Sequence, residues 1–390
     1  MISTRARALN FAKEIKSEII QEQYNLYKSF FLNAKYSRDL KNFKKINKFS
    51  TIVVIGMGGS ILGVKAIYSF LKHKIKKKFI FVDNLDENFL KDIKCKNKLN
   101  KSLFLIISKS GNTSETILNS SYFKSFFNKS NVIIITENRN NILNNYAKSK
   151  GYTFIEHNAF IGGRYSVFSD VGMFPAYLMG LNLDNFKKNS KNFLNNDKNL
   201  SKFILDLEKS NIYKSRIVIF FNYVPELNDF LYWCQQLLAE SLGKNKKGFI
   251  PVISSAPKDH HSLLQLYLDG PKDKVFYIFS LNKKSKLKVS CKSFGKETNF
   301  LDKKKYHKIK ESQKKSFIQI LKKKKISYRE IVIQNIDENT LGKLFLNFIF
   351  ETISLAKMMK INPYNQPAVE DVKILTKKYL KSKKTTKKNS

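Results

Sequence analysis

Short apolar runs, each followed by glycine or hydroxyl residues and then by an amphipathic stretch, set the rhythm of the first half of the chain. Ser50–Ile55, Lys78–Val82, Leu103–Ile107, Val132–Thr136 and Tyr152–Glu156 carry β-branched and aromatic residues and read as strands. Ser60–Leu71 and Ser114–Phe127 between them read as helices. Strands that are apolar along their whole length have no face to spare for water. They belong in a parallel sheet covered by helices on both sides. After a polar connector near Asp184–Leu200 a looser version follows. Arg216–Phe221, Val275–Phe279 and Ile331–Gln334 read as its strands, Leu227–Glu240 and Leu341–Met359 as its helices. No sequence repeat relates the halves. Residues 1–48, rich in Lys and Asn, read as polar helices, with Glu14, Glu18 and Glu22 on a plain surface helix. The basic run 381–390 reads as a disordered tail. The pattern predicts an α/β protein with two parallel-sheet domains.

Composition narrows the partners. A chain of 390 residues can bury a substantial core. No apolar run approaches the roughly 20 residues that span a bilayer, so no membrane partner is expected. The opening Met1-Ile2-Ser3-Thr4-Arg5-Ala6-Arg7 has neither a long apolar segment nor a small-residue cleavage site, which argues against a secretory signal. Cys95, Cys234 and Cys291 form no Cys-x-x-Cys pair and fit neither a disulfide framework nor a zinc site; a reducing cytoplasm is the expected compartment. The net charge of +41 raises the question of nucleic acid. The lysines, however, are spread through nearly every loop and helix, beside abundant Asn, Ile and Phe that A- and T-rich codons also write. They read as solvated faces, not as a nucleic-acid stripe. Their summed field would still attract a phosphorylated substrate.

Two loops can hold an anion. Gly56-Met57-Gly58-Gly59-Ser60-Ile61-Leu62-Gly63 follows a strand and opens a helix, where glycines permit close backbone approach and amides face outward. A dinucleotide fingerprint starting at Gly56 needs glycine where Ile61 stands, although Asp83 sits at a suggestive strand end. Ser108-Lys109-Ser110-Gly111-Asn112-Thr113-Ser114-Glu115-Thr116 also joins a strand to a helix; Asn112 is the expected N-cap, with Glu115 three positions later. No acidic cluster has metal-ligand spacing, and neither metal nor cofactor is expected.

Four further clusters carry reactive groups: Gly162-Gly163-Arg164, Glu240-Ser241-Leu242-Gly243-Lys244, His260-His261-Ser262 and Gln366-Pro367-Ala368-Val369-Glu370-Asp371-Val372-Lys373. Carboxylate, guanidinium, imidazole and amine together suit proton abstraction beside a carbonyl. Taken one at a time, each has an ordinary structural explanation: an exposed helix-end Glu, a capping Arg, a loop His, one lysine among many. His73, His157 and His307 are read in that ordinary way.

In order, the segments GMGGSILG, SKSGNTSET, GGRYSVFSDVGMFPA, ESLGK, HHS and NPYNQPAVEDVK resemble the glucose-6-phosphate isomerase (phosphoglucose isomerase) family, over residues from about 50 to 380. The resemblance implies two sugar-isomerase domains, 49–183 and 200–360, each a flavodoxin-like α/β/α sandwich, and a C-terminal catalytic segment, 361–380. It implies interconversion of glucose 6-phosphate and fructose 6-phosphate, a step of glycolysis and gluconeogenesis, by a homodimer whose histidine crosses the subunit interface. By the same resemblance Glu240 is the base that shuttles the proton, and Arg164 stabilises the enediolate. His261 and Lys373 assist ring opening. Gln236 and Gln366 bind the sugar, with Gly59 and Ser60 in the first sugar loop. Ser108, Lys109, Ser110, Gly111, Asn112 and Thr113 form the phosphate loop. The chain departs from the family at Leu242, usually Asn, and at Ala368 and Val372, usually Gly. Three rival readings share parts of this pattern. A sugar-phosphate-binding regulator needs the phosphate loop but not Glu240, Arg164 and Lys373 together. A nicotinamide-dependent oxidoreductase would use Gly56–Gly63 and Asp83. A nucleic-acid binder would rest on charge alone.

Overall fold

The computed structural model describes residues 4–31, 46, 48–282 and 285–382. Two all-parallel sheets form its frame. The first has β1 Thr51–Ile55, β2 Lys78–Val82, β3 Ser102–Ile107, β4 Val132–Thr136 and β5 Thr153–Glu156 in the order β2-β1-β3-β4-β5. The second has β6 Ile217–Asn222, β7 Ile250–Ser255, β8 Lys274–Leu281 and β9 Tyr328–Ile333 in the order β7-β6-β8-β9. The four-strand order repeats the first four positions of the five-strand order, which is the flavodoxin-like one.

Strand parity explains the continuous apolar runs. In the first sheet Ile52, Val54, Leu103, Leu105 and Ile107 enter one apolar cluster, while Val53, Ile55, Phe104 and Ile106 enter another on the opposite face. In the second, Val218, Phe220, Val275 and Tyr277 face inward and Ile219, Phe221, Phe276 and Ile278 outward. The inward faces of both sheets share one cluster. Helices Leu62–Leu71, Asn228–Leu242 and Glu338–Met359 fill the space between them, and Phe230 and Trp233 meet Phe345 edge to face.

Four local expectations change. β7 falls outside the predicted strands, because Ile250-Pro251-Val252-Ile253-Ser254-Ser255 mixes proline and serine into a short run; it is an edge strand, where a missing N–H is tolerated. The helix expected over Ser114–Phe127 stops at Tyr122 and gives way to a 3-10 turn at Lys124–Phe126. The connector near Asp184–Leu200 contains helices Leu183–Lys187 and Ser190–Asn195, which bury Phe186 and Leu194. Helix Thr4–Glu22 is not a plain surface helix: Ala8, Ala12, Ile15 and Ile19 form a buried stripe within the shared cluster. Of the N-terminal segment, residues 1–3, 32–45 and 47 lie outside the described residues, as do 383–390 of the basic tail. Among the described residues no helix is long and apolar enough to cross a membrane.

Candidate functional site

Strand order reverses between β1 and β3, and both anion-ready loops leave the carboxyl ends of those two neighbours. This is where open α/β sheets bind ligands. The glycine loop is pressed against the Gly163–Phe168 3-10 helix. A Cβ placed on Gly59 would fall 2.3 Å from the Gly163 carbonyl carbon and 2.5 Å from the Arg164 nitrogen, so only glycine fits. Ser60 is buried beside it.

That contact fixes the backbone that launches Arg164. Its side chain is buried and surrounded by acceptors from distant parts of the chain. Nε donates to Ser241 Oγ at 2.7 Å, Nη2 to the carbonyls of Pro363 at 2.5 Å and Asn365 at 3.2 Å, and Nη1 to Gln366 Oε1. The Tyr165 hydroxyl joins the same knot, 2.9 Å from Ser241 Oγ and 3.2 Å from the Pro363 carbonyl. Glu240 Oε1 lies 3.7 Å from Arg164 Nη1. Helix Asn228–Leu242 buries Leu237, Leu238, Ser241 and Leu242, which turns Gln236 and Glu240, one helical turn apart, to the opposite side. Gln236 Nε2 donates to Glu240 Oε2 at 3.0 Å, and among the described residues the buried Gln236 Oε1 has no partner. A carboxylate with one anchored oxygen thus stands beside a guanidinium whose position is heavily determined. Leu242, the departure from the family's Asn, lies in the apolar core, where an aliphatic side chain belongs.

The serine-rich loop is folded on itself. Ser108 Oγ and Thr113 Oγ1 are 3.0 Å apart, and Asn112 donates its backbone N–H to Ser110 Oγ at 3.2 Å. Gly111 has φ +65°, and a Cβ there would sit 1.8 Å from Asn141 Oδ1. Asn112 is not the N-cap. Thr113 holds that place without a side-chain cap bond, because its hydroxyl turns to Ser108, while Asn112 Oδ1 accepts from the Ile142 amide at 3.1 Å. The first turn of helix Ser114–Tyr122 is therefore free of a side-chain cap, the condition in which helix amides receive an anion. Lys109 lies 3.8 Å from Glu137 Oε1; burial lowers its ammonium from the ordinary value, with Glu137 opposing the shift. Behind it, His157 is buried, with Nδ1 3.0 Å from the Asn158 carbonyl and Nε2 without a partner among the described residues. Burial pulls this imidazole down to about 4, and Lys109 acts in the same direction.

The remaining candidates are not gathered within one chain. His260 is tied to the Tyr223 hydroxyl at 2.8 Å and packs on Phe221 and Phe317, whereas His261 is exposed beside it. Asp259 stiffens this loop, accepting from Ser254 Oγ, the Ser255 amide and Ser262 Oγ at 2.8, 2.7 and 2.9 Å. Lys373 is exposed on helix Ala368–Lys381, pairs with Glu370 Oε1 at 2.7 Å, and belongs to a helix with no buried residue. Among the described residues no hydrogen bond or ion pair joins His261 or Lys373 to Glu240 or Arg164.

Sequence reasoning passes over Ser241, Tyr165 and the carbonyls of the 362–366 segment. A serine inside a helix or a backbone carbonyl carries no signal of its own. Lys244 stands out in the sequence only as an amine in its cluster. Its Nζ donates to the Asn362 carbonyl and, at 3.0 Å, to Asn365 Oδ1; burial pulls it down to about 8, Arg164 adding to the shift and Glu240 opposing it. Asp83, the residue that kept a dinucleotide in view, is engaged by Lys65 Nζ at 2.7 Å, and Ile61 is fully buried. Among the described residues no three of His, Cys, Asp and Glu converge as a metal site requires.

Two flavodoxin-like parallel sheets, with a carboxylate beside a guanidinium at a switch point, define the class: a two-sheet α/β protein with a ligand-binding site at its strand ends. A hypothetical protein of Thermus thermophilus shares the fold with a TM-score of 0.77 at 21% identity, covering 97% of this chain and 94% of its own. A glucose-6-phosphate isomerase of Chlamydia trachomatis does so at 0.69 and 20%, covering 87% and 71%. The family model for phosphoglucose isomerase matches residues 39–390. The glucose-6-phosphate isomerase of Methanocaldococcus jannaschii is 34% identical over 367 residues, 88% of this chain and 87% of the relative. That of Campylobacter jejuni is 31% identical, with 85% of each covered. The chain belongs to the phosphoglucose isomerase family.

Proposed function

We propose that this chain is an aldose-ketose isomerase that interconverts glucose 6-phosphate and fructose 6-phosphate through an enediolate. The observation that carries the reading is the Glu240 carboxylate held 3.7 Å from a buried guanidinium. Glu240 takes the proton from one carbon of the open-chain sugar and returns it to its neighbour, which a carboxylate does without changing place. Arg164 stays charged throughout and faces the negative charge that develops on the enediolate oxygens. The substrate phosphate docks on Ser108–Thr113 and the uncapped helix start behind it, with Lys109 adding charge. Gly59, Ser60, Gln236 and Gln366 line the sugar.

His261 and Lys373 open the ring. The enzyme works as a homodimer in which His261 reaches the site of the other copy. Its exposure, and the apolar residues that helix Ala368–Lys381 leaves uncovered (Val372 and Tyr379 among them), support assembly with a second chain. Residues 49–183 and 200–360 act as the two domains, each with its own sheet. The working compartment is the cytoplasm, and the step is that of glycolysis and gluconeogenesis. A coupled assay of fructose 6-phosphate conversion tests the reading. Glu240→Gln keeps shape and removes the base, so turnover falls by on the order of 10²–10⁴-fold with sugar-phosphate affinity nearly intact. Normal turnover in that variant refutes the role.

A further inference from the structure

The turn after Glu240 carries a lysine for which the reaction scheme has no task. Lys244 reaches from the end of helix Asn228–Leu242 to the 362–366 segment, donating to the Asn362 carbonyl and to Asn365 Oδ1. The same segment supplies three of the four acceptors that surround Arg164: the carbonyls of Pro363 and Asn365 and the side chain of Gln366. The fourth, Ser241 Oγ, belongs to the helix from which Lys244 extends.

A guanidinium has five N–H groups. Four of them are engaged here: Nε–H, both on Nη2 and one on Nη1. The fifth, on Nη1, is left on the nitrogen that stands 3.7 Å from Glu240 Oε1. Its direction is decided by the other four, and so by where the 362–366 segment lies. That segment has no regular structure; Tyr364 packs on the core and on the Tyr165 ring, but the helix that follows buries no residue. On the other side Lys247 Nζ donates to the Met359 carbonyl, and the Tyr165 hydroxyl holds Pro363. Lys244 is the cation that grips the middle.

We propose that Lys244 is a positioning residue of the isomerase: it clamps residues 362–366 to the end of the Glu240 helix, so that Arg164 keeps one N–H directed at the reacting atoms. It touches no substrate. The inference rests on the isomerase reading above and deepens it.

Steady-state kinetics on the full chain test it. Lys244→Met lowers kcat about tenfold, since a small misplacement near the chemistry is enough, while KM for fructose 6-phosphate changes less than about threefold. Lys244→Arg recovers most of the lost kcat. Asn365→Ala, which keeps the charge and removes one acceptor, gives a smaller loss, and the double variant is little worse than Lys244→Met alone. Hydrogen exchange at residues 361–367, which needs no substrate, speeds up in Lys244→Met. Unchanged exchange, unchanged kcat, a loss confined to KM, or an arginine variant no better than methionine each overturns the proposal. Absence of turnover in the unmodified protein instead counts against the isomerase reading, and the exchange arm still decides for or against the clamp.

Discussion

Burial constrains two residues at the site, and for His157 it gives a measurable sign. Arg164 stays inside because its neighbours supply acceptors for it; without them an isolated buried guanidinium would be strongly disfavoured. His157 solves the same problem by remaining neutral. Its folded value, about 4, lies below the 6.5 of a free imidazole. Between those limits the unfolded chain binds a proton that the folded chain refuses, so stability is complete above about pH 6.5 and declines as pH falls. From pH 7 to pH 5 the loss is about 2 kcal/mol, at about 1.4 kcal/mol for each pH step. His157→Gln removes this dependence. Denaturant titrations of both proteins across that range should therefore show the wild type losing about 2 kcal/mol relative to the variant. A difference between them that does not vary with pH contradicts the assignment. The histidine was legible as a residue but not as a buried one, because burial depends on the 153–161 segment folding under the loops of neighbouring strands.

Elements bring the reactive groups together through contacts too close for ordinary side chains. The Gly56–Gly63 loop lies on the backbone that precedes Arg164, and Gly59 is the point of contact. In Gly59→Ala, backbone must move against backbone. The expected outcome is a loss of about 2 kcal/mol in unfolding free energy and a kcat/KM at least roughly tenfold lower, since Arg164 is displaced with its main chain. Gly162→Ala is the control for stability, because a Cβ there meets only the Tyr165 ring at 3.4 Å. If denaturation finds the two variants equally stable, the close approach is not what constrains this loop. Helix Ala368–Lys381 illustrates the opposite case. Ala368 and Val372 replace glycines usual in the family, and each favours the helix over a freer backbone. Among the described residues nothing buries its apolar side chains.

At the scale of the whole molecule, charge and topology act separately. The net charge of +41 is spread over the surface and says nothing about the fold. It does concern encounter with a phosphorylated sugar. kcat/KM for fructose 6-phosphate should fall severalfold as ionic strength rises from about 0.01 to about 0.15 M, where the screening length shortens from about 30 to about 8 Å. kcat should change much less. A salt series at fixed pH checks this, and a flat kcat/KM would mean that local groups such as Lys109 dominate capture. Topology decides where the encounter leads, because the parallel order β2-β1-β3 sends the two loops to the same end of the sheet.

Periodicity along the chain was enough to predict the parallel α/β architecture, since a strand apolar on both faces has only one stable setting. Among the described residues eight of the nine strands were legible in this way; β7 was not, because an edge position tolerates the proline and serines that hide it. The motifs identified the reactive residue types, and the family resemblance named their partners. What no local pattern could express was convergence. Ser241, Tyr165, Lys244 and the carbonyls of 362–366 gain meaning only when segments nearly 200 residues apart meet around one guanidinium. Sequence determines which groups a segment carries; only tertiary packing decides which buried cation needs them, because hydrogen-bond demand arises where water has been excluded.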